Sequence, residues 1–135
     1  PEVLETMGFL AGIEWQAKEF AKRTGVRVTL SLPNTEPSLE KQQSVALFRI
    51  VQEALTNIAR HAEASKVKIT LVSGPAETRI AISDNGRGMS DDAFSKPGSF
   101  GLIAMRERVV ALGGELTISG RPGGGTKVEA VVRGN

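Results

Sequence analysis

The sequence has no cysteine and only one histidine, His61, in 135 residues. The first absence excludes disulfides, thiolate metal sites and a cysteine nucleophile, and the second excludes any multi-histidine metal site. No apolar run approaches the ~20 residues that cross a bilayer. The opening PEVLETMGFL shows none of the basic start, apolar core and small-residue cleavage site of a signal peptide. It also lacks an initiator methionine, so the sequence reads as a piece of a longer protein. Net charge is small as well: 17 basic against 15 acidic residues leave +2, and the basic residues are scattered without interleaved aromatics. Nucleic acid is therefore not an expected partner. What remains, 40% hydrophobic and 24% charged residues, is the composition of an ordinary soluble domain, with length for one core.

Periodicity divides the chain into elements. Leu10, Ile13, Ala17, Phe20 and Ala21 recur at helical spacing between Gly8 and Arg23, and Gly25 stops them. Val26, Val28, Leu30 and Leu32 alternate as a strand, and PNTEPS marks a loop from which Ser38 would cap a long helix over Leu39 to Ala62. Val67, Ile69 and Leu71 alternate in one strand and Ile80 and Ile82 in the next, and the short SGPAET link predicts a hairpin. Asp84 to Gly101 is a Gly-, Ser- and Asp-rich loop, long enough to suggest a function. Leu102, Met105, Val109 and Leu112 restore helical spacing up to Gly113 and Gly114, and strands near Leu116–Ser119 and Thr126–Val132 close the chain around GRPGGG. This order predicts an α+β fold, a two-layer sandwich with a mixed sheet packed against about three helices.

Four features carry candidate chemistry. On the long helix, at ~100° per residue, Val51, Ala54, Leu55, Ile58 and Ala62 share an apolar face, with Glu53, Asn57, Arg60 and His61 in a polar stripe beside it. Asn is a mediocre helix former, so its place there asks for a reason; a solvated face with a Glu53–Asn57 contact is the alternative to a ligand edge. In RIAISDNGRG, Asp84 has the strand parity of Ile80 and Ile82, so its carboxylate faces the buried side and needs a partner. Gly86 and Gly88 follow, leaving room for a flat ligand against the backbone, and an acceptor at such a floor suits the adenine amino group. Asn-Gly is equally a hairpin-turn signal, although no good second strand follows it. The glycines of GSFGL precede a helix whose first N–H groups suit an anion, or form a plain loop. Thr126 points inward with Val128 and Ala130, either as a core threonine or with its hydroxyl supporting Asp84 or the adenine.

Taken in order, E-x-x-x-N-x-x-R-H, D-x-G-x-G, G-x-x-G-L and G-G-T resemble the ATP-binding domain of the GHKL superfamily, the Bergerat fold. LFRIVQEALTNIARHAEAS, GSFGLIAMRERVVALGGELTI and GGGTKVEAVV are similar to sensor histidine kinases of the NarL-partner (HisKA_3-linked) type, and the likeness covers nearly the whole chain. The resemblance implies that ATP and Mg²⁺ are the cofactors, that Asn57 coordinates Mg²⁺, and that Glu53 orients or polarises the attacking group or a metal-bound water. It implies that Arg60 and His61 reach phosphate oxygens, and that Asp84 accepts from the adenine amino group with Gly86, Gly88 and Thr126 around it. Met89 and Leu102 join the nucleotide-binding set, and Arg87 to Phe100 would be a short ATP lid hinged at Gly98 and Gly101.

No phosphoaccepting histidine is available, because His61 lies in the nucleotide stripe. The resemblance therefore implies a catalytic domain over residues 8–135, with 1–7 leading from a separate dimerisation domain that carries the acceptor. This fragment alone would not autophosphorylate. It would be a monomer without nucleic-acid or membrane contact, cytoplasmic, from a homodimeric kinase whose parent chain is anchored in the inner membrane or free. Its partners would be that phosphoacceptor domain and a response regulator of the LuxR/NarL type. An anti-sigma-type serine kinase, or another GHKL ATPase module such as that of a topoisomerase, is the competing expectation.

Overall fold

The structure is a computed structural model that describes residues 2–87, 100–120 and 123–134. Two helices lead, α1 (Glu2–Met7) and α2 (Phe9–Thr24). Strand β1 (Arg27–Ser31), helix α3 (Lys41–Asn57) with a π-helical turn over Ile58–Ala62, and strands β2 (Lys66–Ser73) and β3 (Glu77–Asp84) follow. Helix α4 (Phe100–Ala111), β4 (Glu115–Gly120) and β5 (Thr126–Arg133) complete the described order. The strands form one mixed sheet in the order β1-β2-β3-β5-β4, with β1 parallel to β2 and every other pair antiparallel. The predicted two-layer arrangement is the observed one.

Period-two patterning decides which face of the sheet is covered. Val67, Ile69 and Leu71 on β2, Ile80 and Ile82 on β3, and Val128, Ala130 and Val132 on β5 are buried against the helices. Their counterparts are Phe9, Ile13, Ala17 and Phe20 of α2 and Leu47, Ile50, Val51, Ala54 and Leu55 of α3. The other sheet face carries Lys68, Arg79, Lys127 and Glu129 at the intervening positions. The hairpin predicted from SGPAET joins β2 to β3, closed by the Gly74 N–H donating to the Glu77 carbonyl at 2.9 Å.

Helix α4 already begins at Phe100, which puts Phe100 and Gly101 in the helix and not in the expected Asp84–Gly101 loop, and two boundaries of α3 also differ from the sequence expectation. Helix α3 begins at Lys41 rather than Leu39, with Glu40 and not Ser38 at its N-cap, because Gln43 supplies the reciprocal half of a capping box. The Gln43 Oε1 accepts from the Glu40 N–H at 3.0 Å while its Nε2 donates to the Arg133 carbonyl at 2.9 Å. The second difference is that α-helical geometry ends at Asn57, and the remaining turn is π-helical.

Candidate functional site

Three chain segments meet where β3 ends. Asp84 is its last residue, paired in register with the buried Val67, and its side chain is half-buried as its parity predicts. Its Oδ1 accepts the Gly86 N–H at 2.7 Å. Burial raises its pKa above the ordinary carboxylate value, opposed by the backbone N–H groups of Gly86 and Thr126, which favour the ionised form. Thr126 is buried as expected, and its backbone N–H is a group it gives Asp84. An extended strand start aims its amide sideways at the neighbouring strand, so the β5 ladder delivers this donor whatever the side chain.

Gly125 went unread in the sequence beyond its place in G-G-T. It adopts φ +81°, and a Cβ there would overlap the Asp84 carbonyl oxygen. The Gly123 N–H donates to the Arg87 carbonyl, so the glycine run that precedes β5 lies against both ends of the Asp84–Arg87 turn. The turn is not the hairpin that Asn-Gly allows, since neither Asn85 nor Gly86 has positive φ.

The helix side of the site is more irregular than a continuous α-helix. The Ile58 N–H is shared between the Ala54 and Leu55 carbonyls, and the chain then takes a π-turn ended by Glu63 at φ 53°, the single described non-glycine residue with positive φ. A π-turn holds more residues than an α-turn and recurs at functional sites. Of the stripe drawn at constant helical spacing, Glu53 and Asn57 lie on the α-helical part, while Arg60 and His61 lie on the π-turn. Glu53 and Asn57 are half-buried, Arg60 is exposed, and among the described residues none of the three side chains has a hydrogen-bond partner. These are oxygen and cation groups beside a core and open to a ligand.

Gly101 lies in the first turn of α4, and a Cβ on it would run into the Glu53 carboxylate. The absent side chain is what lets the start of α4 close on α3. Leu102, next to it, is buried. Gly88, Met89 and Gly98, with most of the expected lid, lie outside the described residues, and of His61 only the place on the π-turn is described. No group of three or more His, Cys, Asp or Glu side chains is arranged to hold a metal among the described residues. An ion here would rely on the Asn57 amide oxygen and on ligand oxygens, which suits Mg²⁺, a cation that keeps most of its shell as water and phosphate.

Residues 42–134 match the family described as histidine kinase-, DNA gyrase B- and HSP90-like ATPase, and the chain belongs to that family. Within it, its relatives are sensor kinases. It is 36% identical over 125 residues to the signal transduction histidine-protein kinase/phosphatase DegS of Brevibacillus brevis, covering 93% of this chain and 32% of that protein. It is also 36% identical to the sensor histidine kinase LiaS of Bacillus subtilis, over 98% of this chain and 36% of that protein. The nitrate/nitrite sensor NarX of Escherichia coli is 29% identical over 90% of this chain and 20% of that protein. The chain thus spans about a third of the length of the first two. Solved structures agree on the fold: the histidine kinase domain of an Erythrobacter litoralis EL346 blue-light activated kinase superposes with a TM-score of 0.75 at 23% identity, over 90% of this chain and 59% of that one. The Acinetobacter baumannii histidine kinase AdeS gives 0.76 at 19%, over 94% and 64%.

Proposed function

We propose that this chain is the ATP-binding catalytic domain of a two-component sensor histidine kinase, and that it presents Mg-ATP to a histidine on the dimerisation domain of the same kinase. The observation that carries this reading is Asp84: a half-buried carboxylate fixed by two backbone N–H groups at the mouth of a glycine-lined turn. One Asp84 oxygen is committed to Gly86, and its remaining lone pairs suit the amino group of adenine. Asn57 would supply an amide oxygen to Mg²⁺, which when bound neutralises charge on the phosphates. Arg60 and His61, on the π-turn, would meet phosphate oxygens, and Glu53, kept close to α4 by Gly101, would orient the attacking imidazole.

In the transfer, the bond from the γ-phosphorus to the bridging β-phosphate oxygen breaks, a phosphorus–nitrogen bond forms to the acceptor histidine, and ADP leaves. The protein's part is positioning and charge neutralisation, which is most of what phosphoryl transfer requires. The phosphoryl group would then pass to an aspartate of a response regulator of the LuxR/NarL type. Residues 1–7 would lead toward the dimerisation domain, residues 8–135 would form the catalytic domain, and both would work in the cytoplasm. No described helix is long and apolar enough to cross a membrane.

The test is calorimetric titration of Mg-ATP into the wild type and Asp84→Asn. A drop of ~30-fold or more is expected, because a charged hydrogen bond of roughly 2 kcal/mol is lost. Equal affinities would remove Asp84 from the adenine site.

A further inference from the structure

Asn85 has no part in the nucleotide site as described so far, yet its side chain makes three hydrogen bonds there. Its Oδ1 accepts the backbone N–H groups of both Ser65 and Lys66 at 2.9 Å, and its Nδ2 donates to the Ser65 Oγ at 2.9 Å. Its own N–H donates to the Lys66 carbonyl at 3.3 Å. Asparagine often occupies turns because it tolerates positive φ, but Asn85 does not have positive φ. The position therefore uses the amide and not the backbone latitude.

The two segments that this amide joins are the two halves of the site. Ser65 and Lys66 stand just beyond the π-turn that carries Arg60 and His61, separated from it by Glu63 and Ala64. Asn85 is flanked by Asp84 and by Gly86, whose N–H holds the Asp84 carboxylate. The Asp84–Arg87 turn is thus gripped from two sides, by the glycine run at Gly123 and Gly125 and by Asn85 on the exit of the phosphate-side helix.

We propose that Asn85 is a positioning residue: its side-chain amide fastens the turn that aims Asp84 to the chain leaving α3, and so sets the adenine acceptor against Asn57 and Arg60. The proposal rests on the reading of Asp84 as the adenine acceptor. It requires that loosening Asn85 blur recognition of the base and not only weaken the fold. An Asn85→Asp replacement keeps an oxygen that accepts both backbone N–H groups, whereas Asn85→Ala leaves both of them to solvent.

The experiment measures affinities for Mg-ATP and Mg-GTP of the wild type, Asn85→Ala and Asn85→Asp, with the folded fraction followed by circular dichroism. Two or three exposed hydrogen bonds of modest net worth predict a loss of about tenfold in ATP affinity for Asn85→Ala. The preference for ATP over GTP should fall by a similar factor, and Asn85→Asp should recover most of both. Unchanged ATP affinity in Asn85→Ala, or an equal loss for ATP and GTP, would overturn the proposal, because a purely structural role lowers both nucleotides alike. Should Asn85→Ala not fold, Ser65→Ala removes only the Nδ2 bond, and about a twofold fall in the same preference is expected, with no fall overturning the proposal. A wild type that binds neither nucleotide, or binds without preference for ATP, would overturn the Asp84 reading itself, a result distinguishable from failure of Asn85 alone.

Discussion

The two ends of the sheet treat their polar groups differently. At the end where β2 turns into β3, polar groups are matched within the protein: the buried Gln43 binds Glu40 and Arg133 with both ends of its amide, and Ser73 and Thr78 share a hydroxyl contact at 3.2 Å. Arg79 lies between Glu77 and Glu129 at 2.9 and 3.0 Å, and Arg133 reaches Glu115 at 3.5 Å. At the Asp84 end the carboxylate is half-buried against its preference, and Glu53, Asn57 and Arg60 stand beside the core without partners among the described residues. Polar side chains beside a core are ordinarily satisfied internally, as Asn85 is at this same end, so the half-buried Glu53 and Asn57 and the exposed Arg60 are groups available to something outside the chain. The difference separates scaffold from site more sharply than any single motif does.

The largest expected effect is that of Gly125→Ala, which breaks the comparison from the site side. A methyl group there would meet the Asp84 carbonyl and impose a left-handed conformation on a residue with a Cβ. A stability loss of roughly 2–4 kcal/mol should appear in denaturant unfolding, from the backbone conformation and the overlap together. Nucleotide affinity of the remaining folded protein should fall too, because the overlap displaces the turn that carries Asp84. Wild-type stability would mean that β5 and the turn separate easily.

Next in size is the pH dependence of binding. Burial holds the Asp84 pKa above its ordinary value of 3.8, so the ionised form accepts adenine only above that raised value. The ratio of wild-type to Asp84→Asn affinity should shrink by about tenfold per pH unit below the midpoint. The sign for stability is opposite to that of a salt-bridged carboxylate. A raised folded-state pKa means that the contribution of Asp84 is fully present below the unfolded value and is lost as pH rises through the folded one. Wild type should therefore gain on Asp84→Asn in acid, as read from paired melting curves, while losing ATP. A midpoint at or below 3.8 would show that the two N–H donors outweigh burial.

Gln43→Ala tests the scaffold end. It leaves the Arg133 carbonyl and the Glu40 N–H without their partner, and a loss of about 1–3 kcal/mol in unfolding is expected. ATP affinity per folded molecule should not change. A drop in affinity would show that α3 transmits strain along its length from cap to Asn57.

These expectations also mark how far the sequence could be read. Strand and helix placement followed from periodicity, and the inward aim of Asp84 followed from its parity with Ile80 and Ile82. The π-turn after Asn57 was not legible, because IARHA fits helical spacing and the change lies in which carbonyl each N–H selects. Gly125 and Asn85 were hidden for a related reason: their work is done against Asp84 and Ser65, some 40 and 20 residues distant as ladder pairing and loop contact place them. Ser38 was a sound cap by residue type, but Gln43, tied to Arg133 at the other end of the chain, makes Glu40 the N-cap.

The smallest effect is expected from Arg79→Ala, and it sharpens the comparison by its smallness. The guanidinium bridges Glu77 and Glu129 on the outer face of the sheet, with its side chain 45% exposed, so water and salt already screen most of what the bridges gain. Glu129 keeps Lys127 at 3.5 Å when Arg79 is removed, so no carboxylate is left buried and alone. Thermal melting and ATP affinity should both match the wild type within error, in low salt as well as high. A loss of affinity without a loss of stability is the informative failure. Arg79 and Asp84 lie on one strand, and Arg79 is also tied through Glu129 to β5, which starts at Thr126 beside Asp84, so a displacement of β3 or β5 would carry the effect from one end to the other. The two ends of the sheet would then have to be treated as one mechanical unit.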